Sequence, residues 1–304
     1  MEIVCETVRS QEETSVALGY FDGVHSGHKA VISEAVRYAK ENGLLSCVFT
    51  LQQSPRKILF GEAPGGIITL DEKLSLFEKL GVERVYLIDF RTIRNITAED
   101  FVRDILIGRF NAKHAGCGFN YHFGSGALGN GKVLGELCRE YGITETTQPQ
   151  LCFQSLPISS TRIRQSIADG DIPSANEMLG RTYGFCLAVV HGRHLGRSLG
   201  FPTLNQEFPQ GLVKPRFGVY SSVVTVDGRK YIGVSDIGVK PTVGSDTVMI
   251  ETWMPHYNGR ELYGEKIDVR LHRFIRDEKK FDSLDELKNA VLSDAKLSEE
   301  LNQK

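Results

Sequence analysis

The stretch that decides the fold of the first half of this chain is GYFDGVHSGH, residues 19–28. It directly follows the short apolar run Val16, Ala17 and Leu18. Downstream, apolar residues recur with the period of a helix at Val31, Ile32, Ala35, Val36 and Ala39. These patterns predict a buried strand, a glycine-rich turn and a helix with two histidines near its start. Because free N–H groups at a helix N-terminus and closely approaching glycine backbone hold phosphates well, we predict a nucleotide site here.

The two histidines, His25 and His28, also allow a second interpretation. The H-x-x-H spacing occurs in surface pairs and in one half of a metal site. No cysteine or third histidine stands nearby at ligand spacing, which disfavours a metal. The G-x-G-x-x-G pattern of a dinucleotide-binding turn is absent as well. Phosphate binding is therefore the favoured interpretation.

A second segment, PISSTRIR at residues 157–164, supports phosphate binding. Its serines and threonine are typical of a helix N-cap, and Ile163 with Ile167 gives the helix an apolar face. Arg162 and Arg164 then fall in the first turn, where a cation opposes the helix dipole unless an anion compensates it. The alternative is a pair of solvated arginines.

Composition limits the possible classes of function. A length of 304 residues is enough for two domains, each with its own core. The net charge of −2 argues against a general nucleic-acid-binding protein. The six cysteines are scattered without a C-x-x-C pair, which is typical of a reducing cytoplasm. Because no apolar run approaches ~18 residues, we expect a cytoplasmic protein that does not bind membranes. The sequence indicates no obligate protein partner.

The two halves of the chain differ in their patterns. Between residues 14 and 150, strand-like runs at 16–18, 45–49 and 85–88 alternate with helical stretches to 38 and at 72–80 and 98–107. This alternation predicts a parallel sheet, with ligands at the carboxyl ends of its strands. From residue 169 to residue 183 the chain forms a link, in which Pro173 begins a short helix and Gly180 ends it.

After Gly180 the pattern becomes that of a β-barrel. We predict strands at residues 187–190, 219–226, 230–234, 248–252 and 266–271. Asp227-Gly228 and Asn258-Gly259 are strong signals for hairpin turns between such strands. A final helix is predicted from Ser283 through Val291.

Residues 19–28 and 157–164 together resemble the nucleotidylyltransferase part of the bacterial bifunctional riboflavin kinase/FMN adenylyltransferase (FAD synthetase) family. The intervening segments ITLDEK (68–73), LGV (80–82), DF (89–90), FV (101–102) and GFNYHFG (118–124) resemble the middle section of that family. The second half carries VVHGRHLGRSLGFPTLN (189–205), which is similar to the family's riboflavin kinase motif. GVY (218–220), IG (237–238), PT (241–242), ET (251–252), LYG (262–264) and FIRDE (274–278) follow in the family's order.

The resemblance implies a fold and two reactions. Residues 1–179 would form a Rossmann-like nucleotidylyltransferase domain with a parallel sheet. Residues 180–304 would form a riboflavin-kinase β-barrel with a terminal helix. The protein would phosphorylate riboflavin to FMN with ATP, and would then transfer the adenylyl group of a second ATP to FMN, which gives FAD and pyrophosphate. Magnesium would be the metal cofactor.

The resemblance also assigns residues of the first half. His25 and His28 would hold the triphosphate and stabilise the charge that develops at the α-phosphorus. Ser160 and Arg162 would hold the β- and γ-phosphates, since arginine suits bidentate contacts to anions. Asn120 would help to hold FMN. Further substrate-binding positions would be Gly19, Phe21 and Arg164, and Asp22 is either functional or a structural turn residue.

In the second half, Glu251 would be the general base that accepts the proton of the ribityl hydroxyl. Thr203 and Asn205 would offer oxygens to magnesium. Arg276 would be a cation on the flavin side. A glycine-rich loop would wrap the phosphates of ATP through Gly192, Arg193, Gly196, Arg197 and Gly200. The alternatives are a turn that closes a strand at residues 202–205 and an ordinary solvated carboxylate at Glu251.

The chain departs from the family pattern at Tyr20, Leu51, Ser54, Asp236 and Trp253. These departures lie on the flavin side, whereas the phosphate-handling positions are kept in both halves. Two other interpretations remain open. One is a riboflavin kinase whose first domain has lost or reduced adenylyl transfer, and the other is a non-catalytic flavin sensor.

Overall fold

The chain folds into two compact units. The computed structural model describes residues 1–5, 9–192, 200–242 and 245–302. The first unit comprises Met1–Pro64 and Ile68–Ser160, and the second comprises Gly65–Ile67 and Thr161–Lys304. The short segment Gly65–Ile67 is therefore part of the second unit, although both of its flanks belong to the first.

A six-stranded parallel sheet forms the centre of the first unit, as the alternating pattern predicts. In chain order the strands of this unit are β1 (Glu2–Val4), β2 (Thr14–Leu18), β3 (Leu45–Leu51), β4 (Arg84–Ile88), β5 (Ala112–Gly118), β6 (His122–Phe123), β7 (Gly129–Asn130), β8 (Thr144–Gln148), β9 (Cys152–Phe153) and β10 (Leu156–Pro157). The sheet has the order β1-β4-β3-β2-β5-β8, while β6 with β7 and β9 with β10 form small antiparallel pairs.

Helices cover the sheet of the first unit. They are α1 (Ser26–Asn42), α2 (Pro55–Phe60), α3 (Leu70–Lys79), α4 (Phe90–Ile93), α5 (Ala98–Asp100) and α6 (Gly131–Glu140). The helix predicted over residues 98–107 is present, but it continues beyond α5 as a π-helical segment, Phe101–Ile107. Helix α1 ends at Gly43, whose φ of 66° allows its N–H to bond the carbonyl of Ala39.

The order of the strands creates a crevice beside β2. From β2 the chain reaches β3 and β4 on one side of the sheet, and it later reaches β5 and β8 on the other side. The boundary between β2 and β5 is therefore the switch point, where the loops that leave the two strands diverge. Gly19 follows β2 directly at this edge, so the GYFDGVHSGH turn lies where ligands bind in such sheets.

A buried histidine fastens α1 to the sheet. The side chain of His114 in β5 is fully buried, with Nδ1 2.8 Å from Oγ of Ser15 and Nε2 3.0 Å from Oγ1 of Thr146. Ser15 donates its own proton to the carbonyl of Ala35 in α1, at 2.7 Å, so His114 Nδ1–H is the donor to Ser15. The Tyr38 ring stacks on the imidazole with 4.1 Å between centroids. Burial lowers the pKa of His114 to about 4 and keeps the ring neutral.

The second unit is a closed antiparallel barrel with helices packed on it, as predicted. In chain order its elements are α7 (Ser160–Asp169), α8 (Ile172–Leu179), β11 (Gly184–Val190), β12 (Thr203–Glu207), β13 (Gly218–Val226), β14 (Arg229–Thr242), β15 (Ser245–Trp253), β16 (Lys266–Arg276) and α9 (Leu284–Asn302). The barrel has the order β11-β12-β15-β14-β13-β16. Helix α8 lies between Asp171, which caps it, and Gly180 at φ 60°, as the sequence predicts.

Only one of the two predicted hairpin turns is a hairpin. Asp227 and Gly228 join the paired strands β13 and β14 with φ values of 48° and 76°, as a two-residue turn requires. The prediction at Asn258-Gly259 is wrong, because β15 and β16 on either side of it are not neighbours in the barrel.

Alternating residues of the barrel strands face inwards and outwards. Inside, the hydroxyl of Ser235 lies 2.8 Å from that of Ser222 and 2.7 Å from that of Thr252. Outside, the terminal helix α9 packs against β13 and β14. Its buried Ser298 donates to the carbonyl of Gly233 at 2.8 Å and lies 2.9 Å from the hydroxyl of Ser221.

The buried histidine predicts how the first unit responds to acid. Because the folded pKa of His114 lies near 4 and the ordinary value is 6.5, the unfolded chain takes up the proton first as the pH falls. The free energy of unfolding of the first unit therefore falls by about 3 kcal/mol between pH 6.5 and pH 4, and His114 lowers it no further outside that range. His114→Gln should be less stable at pH 7 but should show a flatter pH dependence. Denaturant unfolding followed by circular dichroism measures this.

The chain contains a single tryptophan, Trp253, which lies in the barrel. Its fluorescence reports on the second unit and serves as an internal control, which the His114 substitution should leave unchanged. A wild type and a variant with parallel pH profiles would contradict the assignment of a buried neutral imidazole.

Candidate active sites

The turn after β2 has a strained backbone. Phe21, Gly23 and Val24 have φ values of 54°, 79° and 39°. The left-handed region suits glycine, whereas a β-branched residue such as valine is rarely found there. Strain of this kind is retained where the surrounding structure holds it in place, and it concentrates at ligand-binding sites.

The rings of the turn pack closely on each other. His25 and His28 stack with 3.5 Å between ring centroids, and Phe21 contacts His28 edge-on at 5.3 Å. A Cβ on Gly19 would lie 2.8 Å from the Phe21 ring, so only glycine fits there. The structure therefore brings together the four residues predicted in this stretch.

His25 has a structural role at the start of α1. It is the N-cap residue, and its Nδ1 accepts a hydrogen bond from the N–H of His28 at 3.3 Å. A Cβ on Gly27 would lie 3.2 Å from the His25 ring, so glycine leaves room for this ring. The capped helix start and the paired imidazoles provide donors for an anion at the switch-point edge.

The residues of the PISSTRIR segment also contact other parts of the protein. The hydroxyl of Ser160 donates to the carbonyl of Asp22 at 3.0 Å, which ties the segment to the turn. Within the second unit, Nε of Arg164 donates to the carbonyl of Gly65 at 2.7 Å. Arg162 is half-buried in the first turn of α7. The predicted phosphate contacts of these three residues stay predictions.

Asn120 is exposed just beyond the end of β5. Since β5 is the parallel neighbour of β2, Asn120 and Gly19 leave the sheet at the same edge. The His122 ring lies 3.0 Å from the carbonyl of Asn120. A cavity of about 750 Å³ adjoins this region, with His122, Lys132 and Arg139 in its lining.

Sequence reasoning missed a lysine beneath the turn. Nζ of Lys73 in α3 donates to the carbonyl of Tyr20 at 3.2 Å and to Oγ1 of Thr50 at 3.3 Å. Nζ also lies 4.7 Å from the centre of the Tyr20 ring, and Lys73 is only 6% exposed. The available signal was its spacing of four residues from Phe77, which puts a charge on the buried face of α3.

In the second unit, a row of side chains crosses neighbouring barrel strands. Asn205 of β12 pairs with Glu251 of β15, and Glu251 pairs with Asp236 of β14. The row continues through Val219 of β13 to Arg276 of β16. Directly paired residues of antiparallel strands point to the same face, so these five side chains share the outer face of the barrel.

A parallel row runs one step along the same strands. Thr203 pairs with Trp253, and Trp253 pairs with Val234. The Phe201 ring contacts the indole edge-on, with 4.7 Å between centroids. Except for Asn205, the residues named in the two rows line one cavity of about 320 Å³, together with Phe281, Leu287 and Val291. The lining therefore combines charged groups, among them Glu251 and Asp294, with the apolar side chains of Trp253, Leu287 and Val291.

Gly192 packs directly on the amide of Asn205. A Cβ at residue 192 would lie 2.5 Å from Nδ2 and 2.7 Å from Oδ1 of Asn205. Asn205 is buried, and its Nδ2 donates to the carbonyl of Thr203 at 3.3 Å. The other predicted loop residues, Arg193, Gly196 and Arg197, lie outside the described part of the chain, and Gly200 is exposed at φ 87°.

Arg276 lies in the wall of the cavity, paired with an acid of the terminal helix. Its Nη2 is 2.6 Å from Oδ2 of Asp294, and its Nε is 3.1 Å from both carboxylate oxygens. Sequence reasoning missed Asp294, whose side chain is almost fully buried. The ion pair joins β16 to α9. The resemblance predicts Arg276 as a cation on the flavin side, and that role stays a prediction.

Comparison with known families matches both halves of the chain. The FAD synthetase model matches residues 7–162, and the riboflavin kinase model matches residues 179–302. The bifunctional riboflavin kinase/FMN adenylyltransferase of Bacillus subtilis is 35% identical over 93% of this chain and 91% of its own. The Escherichia coli K12 protein of the same name is 34% identical over the same shares. The chain belongs to the bifunctional riboflavin kinase/FMN adenylyltransferase family.

A solved structure has the same fold over the whole chain. It is described as a macrolide-efflux protein from Streptococcus pneumoniae and is 30% identical, with a TM-score of 0.88 over 98% of this chain and 99% of that one. Among the described residues, no helix combines the length and apolar character needed to cross a membrane.

Membership of the family confirms the resemblance, the fold class and the presence of both enzymatic domains. It favours the two-activity interpretation over a kinase alone. Both component families are ATP-dependent and generally use a divalent metal, and riboflavin, FMN and FAD follow as the flavins.

The contact between Gly192 and Asn205 can be tested directly. In Gly192→Ala the new methyl group would force the Asn205 amide to move by about 1 Å, a displacement that can cost on the order of 10²-fold in rate. We therefore expect riboflavin phosphorylation to fall strongly while FAD formation from supplied FMN is unchanged. Gly116→Ala is the control, since its Cβ would meet no atom closer than 3.6 Å. Kinase activity close to wild type in Gly192→Ala would contradict the role of this contact.

Proposed function

We propose that the second unit phosphorylates riboflavin at the cavity beside Glu251 and that the first unit adenylylates FMN at the turn after β2. The observation that supports this most is the in-register row of Asn205, Glu251 and Asp236, because Glu251 and Asp236 line a cavity that also has apolar side chains in its wall. A flat isoalloxazine ring suits the apolar side chains of Trp253 and Leu287. The ribityl chain would then extend towards Glu251.

In the kinase reaction, Glu251 accepts the proton of the terminal ribityl hydroxyl. The freed oxygen forms a bond to the γ-phosphorus of ATP while the bond to the bridging oxygen of ADP breaks. Glu251 lies on β15 between two hydrogen-bonded strands, so a rigid element positions the base. Gly192, Arg193, Gly196, Arg197 and Gly200 would surround the phosphates of ATP.

We propose magnesium as the divalent metal, held by Thr203 and Asn205. The donor set fits, because a hydroxyl and an amide carbonyl are hard oxygen ligands and magnesium takes few protein ligands beside phosphate oxygens. Gly192 packs on the Asn205 amide, where a Cβ would lie 2.7 Å from Oδ1, so any larger residue would displace this proposed ligand. When bound, the metal neutralises charge on the phosphates of ATP.

In the adenylyl transfer, a phosphate oxygen of FMN forms a bond to the α-phosphorus of ATP and pyrophosphate leaves. His25 and His28 stabilise the charge that develops at the α-phosphorus. Ser160 and Arg162 hold the β- and γ-phosphates, and the Ser160 hydroxyl also donates to the Asp22 carbonyl of the turn. Gly19 and Phe21 belong to the same turn, and Arg164 is proposed as a further substrate-binding residue.

FMN would lie beside Asn120, next to the cavity of the first unit. Its lining includes the basic side chains His122, Lys132 and Arg139 beside Glu136 and Glu145, so cationic donors are available to the phosphate of a flavin. The exposed Phe119 ring in the same lining could stack on the isoalloxazine.

We also propose that the protein works in the cytoplasm. All six cysteines are free thiols, and Cys47, Cys117 and Cys138 are buried. Burial raises the pKa of Cys47 to about 12 and that of Cys117 to about 11, so these thiols stay protonated. Independence from nucleic acid and from protein partners stays a prediction.

Three substitutions should separate the two reactions. Glu251→Gln should lower riboflavin phosphorylation by ~10²–10⁴ while FAD formation from FMN continues. His28→Ala and Arg162→Ala should each lower FAD formation by ~10²–10³ while the kinase continues. Chromatography of flavins and pyrophosphate release, measured with riboflavin or FMN as substrate, distinguish the two losses.

Glu251→Gln serves as the control for His28→Ala and Arg162→Ala, and these two serve as controls for Glu251→Gln. Loss of both activities in one variant would indicate damage to the fold instead of a lost catalytic group. If wild type released no pyrophosphate with FMN, the bifunctional proposal would fail, and a kinase with a nucleotide-binding domain would remain.

We propose residues 1–179 and 180–304 as the two functional domains, although the compact division assigns residues 161–179, with most of α7 and all of α8, to the second unit. Helix α8 is held to the barrel through Asn176, which donates to the Leu271 carbonyl at 3.1 Å and accepts from the Tyr183 N–H at 2.7 Å. Its buried side chains include Ile172, Met178 and Leu179.

Fragments that begin at residues 161 and 180 test this division. Both contain Glu251, Thr203 and Asn205, so both should phosphorylate riboflavin. The shorter fragment should melt at a lower temperature, because it loses buried side chains worth about 1.5–3 kcal/mol each. Equal melting temperatures would show that residues 161–179, with α7 and α8, do not stabilise the barrel, and two insoluble fragments would contradict separable domains.

A further inference from the structure

The turn after β2 is held in its strained shape by contacts to two of its carbonyl groups. Lys73 and Thr50 both donate to the carbonyl of Tyr20, the latter at 2.9 Å, and Ser160 donates to the carbonyl of Asp22. Phe21 lies between the two carbonyl groups and Val24 lies just after them. Both residues have positive φ values, which are unfavourable for residues with side chains. Without these donors the backbone would be free to relax.

Lys73 contributes the one charged group among these donors. A hydrogen bond from an ammonium group is about twice as strong as one between neutral groups. The titratable groups that face it are the carboxyl of Asp22 and the phenol of Tyr20, both on the turn, while Thr50 faces it from β3. The lysine thus connects α3, β3 and the turn at one point.

This lysine lowers the stability of the fold at neutral pH. Burial lowers the pKa of Lys73 to about 8 from its ordinary 10.5, and the Asp22 charge acts in the opposite direction. Between these values the unfolded chain binds more protons, so stability rises as the pH rises through that window. Below pH 8 the cost is present in full. An apolar side chain would avoid this cost, so the stability of the fold alone does not explain the lysine.

We propose that Lys73 is a positioning residue for adenylyl transfer, whose ammonium group holds the Tyr20 carbonyl and so fixes the turn in the shape that receives the phosphates of ATP. The proposal rests on the adenylyl transfer proposed above. His25 and His28 follow the turn directly and share its packing through Phe21, so a relaxed turn displaces both imidazoles.

Three variants of the full-length protein test the proposal. Lys73→Met keeps the length of the side chain and removes its charge, and Lys73→Arg keeps the charge at every pH used. Lys79→Met is the matched control, because Lys79 is an exposed lysine of the same helix. Riboflavin phosphorylation by the same molecule serves as an internal control.

In Lys73→Met, we expect KM for ATP in FAD formation to rise on the order of 10²-fold, as for a misplaced site. Riboflavin phosphorylation should be unchanged, and the first unit should melt no lower than in wild type. Hydrogen exchange at the amides of residues 19–25 should be faster. In wild type, FAD formation should decline above pH 8, and in Lys73→Arg this decline should be absent. Lys79→Met should match wild type in every measurement.

Two results would overturn the proposal. One is unchanged exchange of the turn in Lys73→Met, and the other is a lower melting temperature with unchanged KM for ATP, as expected for a structural lysine. Hydrogen exchange does not depend on turnover, so it decides the role of Lys73 even if wild type forms no FAD. A wild type that forms no FAD would contradict the proposed adenylyl transfer, whatever the exchange measurement shows. If Lys73→Met does not fold, Thr50→Val removes the second donor and should produce a smaller change in the same direction.

Discussion

The reversal of the chain after β2 is the constraint on which the first unit depends. β2 is buried along its whole length and stands at the switch point of the sheet, so the chain must leave it and enter α1 within a few residues. Left-handed backbone at Phe21, Gly23 and Val24 achieves this. This tight reversal explains two neighbouring residues. His25 caps the N-terminus of α1, and the buried Lys73 holds the strained backbone through the Tyr20 carbonyl.

Strand register has the corresponding importance in the second unit. A slip of one residue in β15 would turn Glu251 into the barrel and bring Thr252 out to the cavity. The hydroxyl contacts from Thr252 through Ser235 to Ser222 exist only in the observed register. The interior polar chain therefore stabilises the positions of the catalytic candidates on the outer face, although Ser222, Ser235 and Thr252 do not themselves line the cavity. Gly192 also constrains the position of Asn205, because a side chain at residue 192 would clash with the Asn205 amide.

Strong periodic patterns predicted most of the fold, and the failures have physical causes. Strands β5 (AKHAGCG) and β8 (TETTQ) were missed because they contain few large apolar residues. Strand β5 is buried through small side chains and a neutral histidine, and β8 lies at the edge of the sheet. The Asn258-Gly259 hairpin failed because adjacency of strands is a tertiary property. The motifs predicted both candidate sites, but the burial of Lys73 and the pairing of Arg276 with Asp294 depend on packing between distant segments.

The segment Gly65–Ile67 affects how the two halves of such a chain can evolve. Gly66 forms a parallel bridge with Leu212, and a Cβ on Gly65 would lie 2.5 Å from the carbonyl carbon of Leu212. A recombination event that joined a foreign second half after residue 160 would bring in a new partner loop but would keep the old segment. The two segments would then clash or lose their bridge. Exchange of whole halves between genes therefore requires a compensating change about Gly65, so the two halves are not freely interchangeable modules.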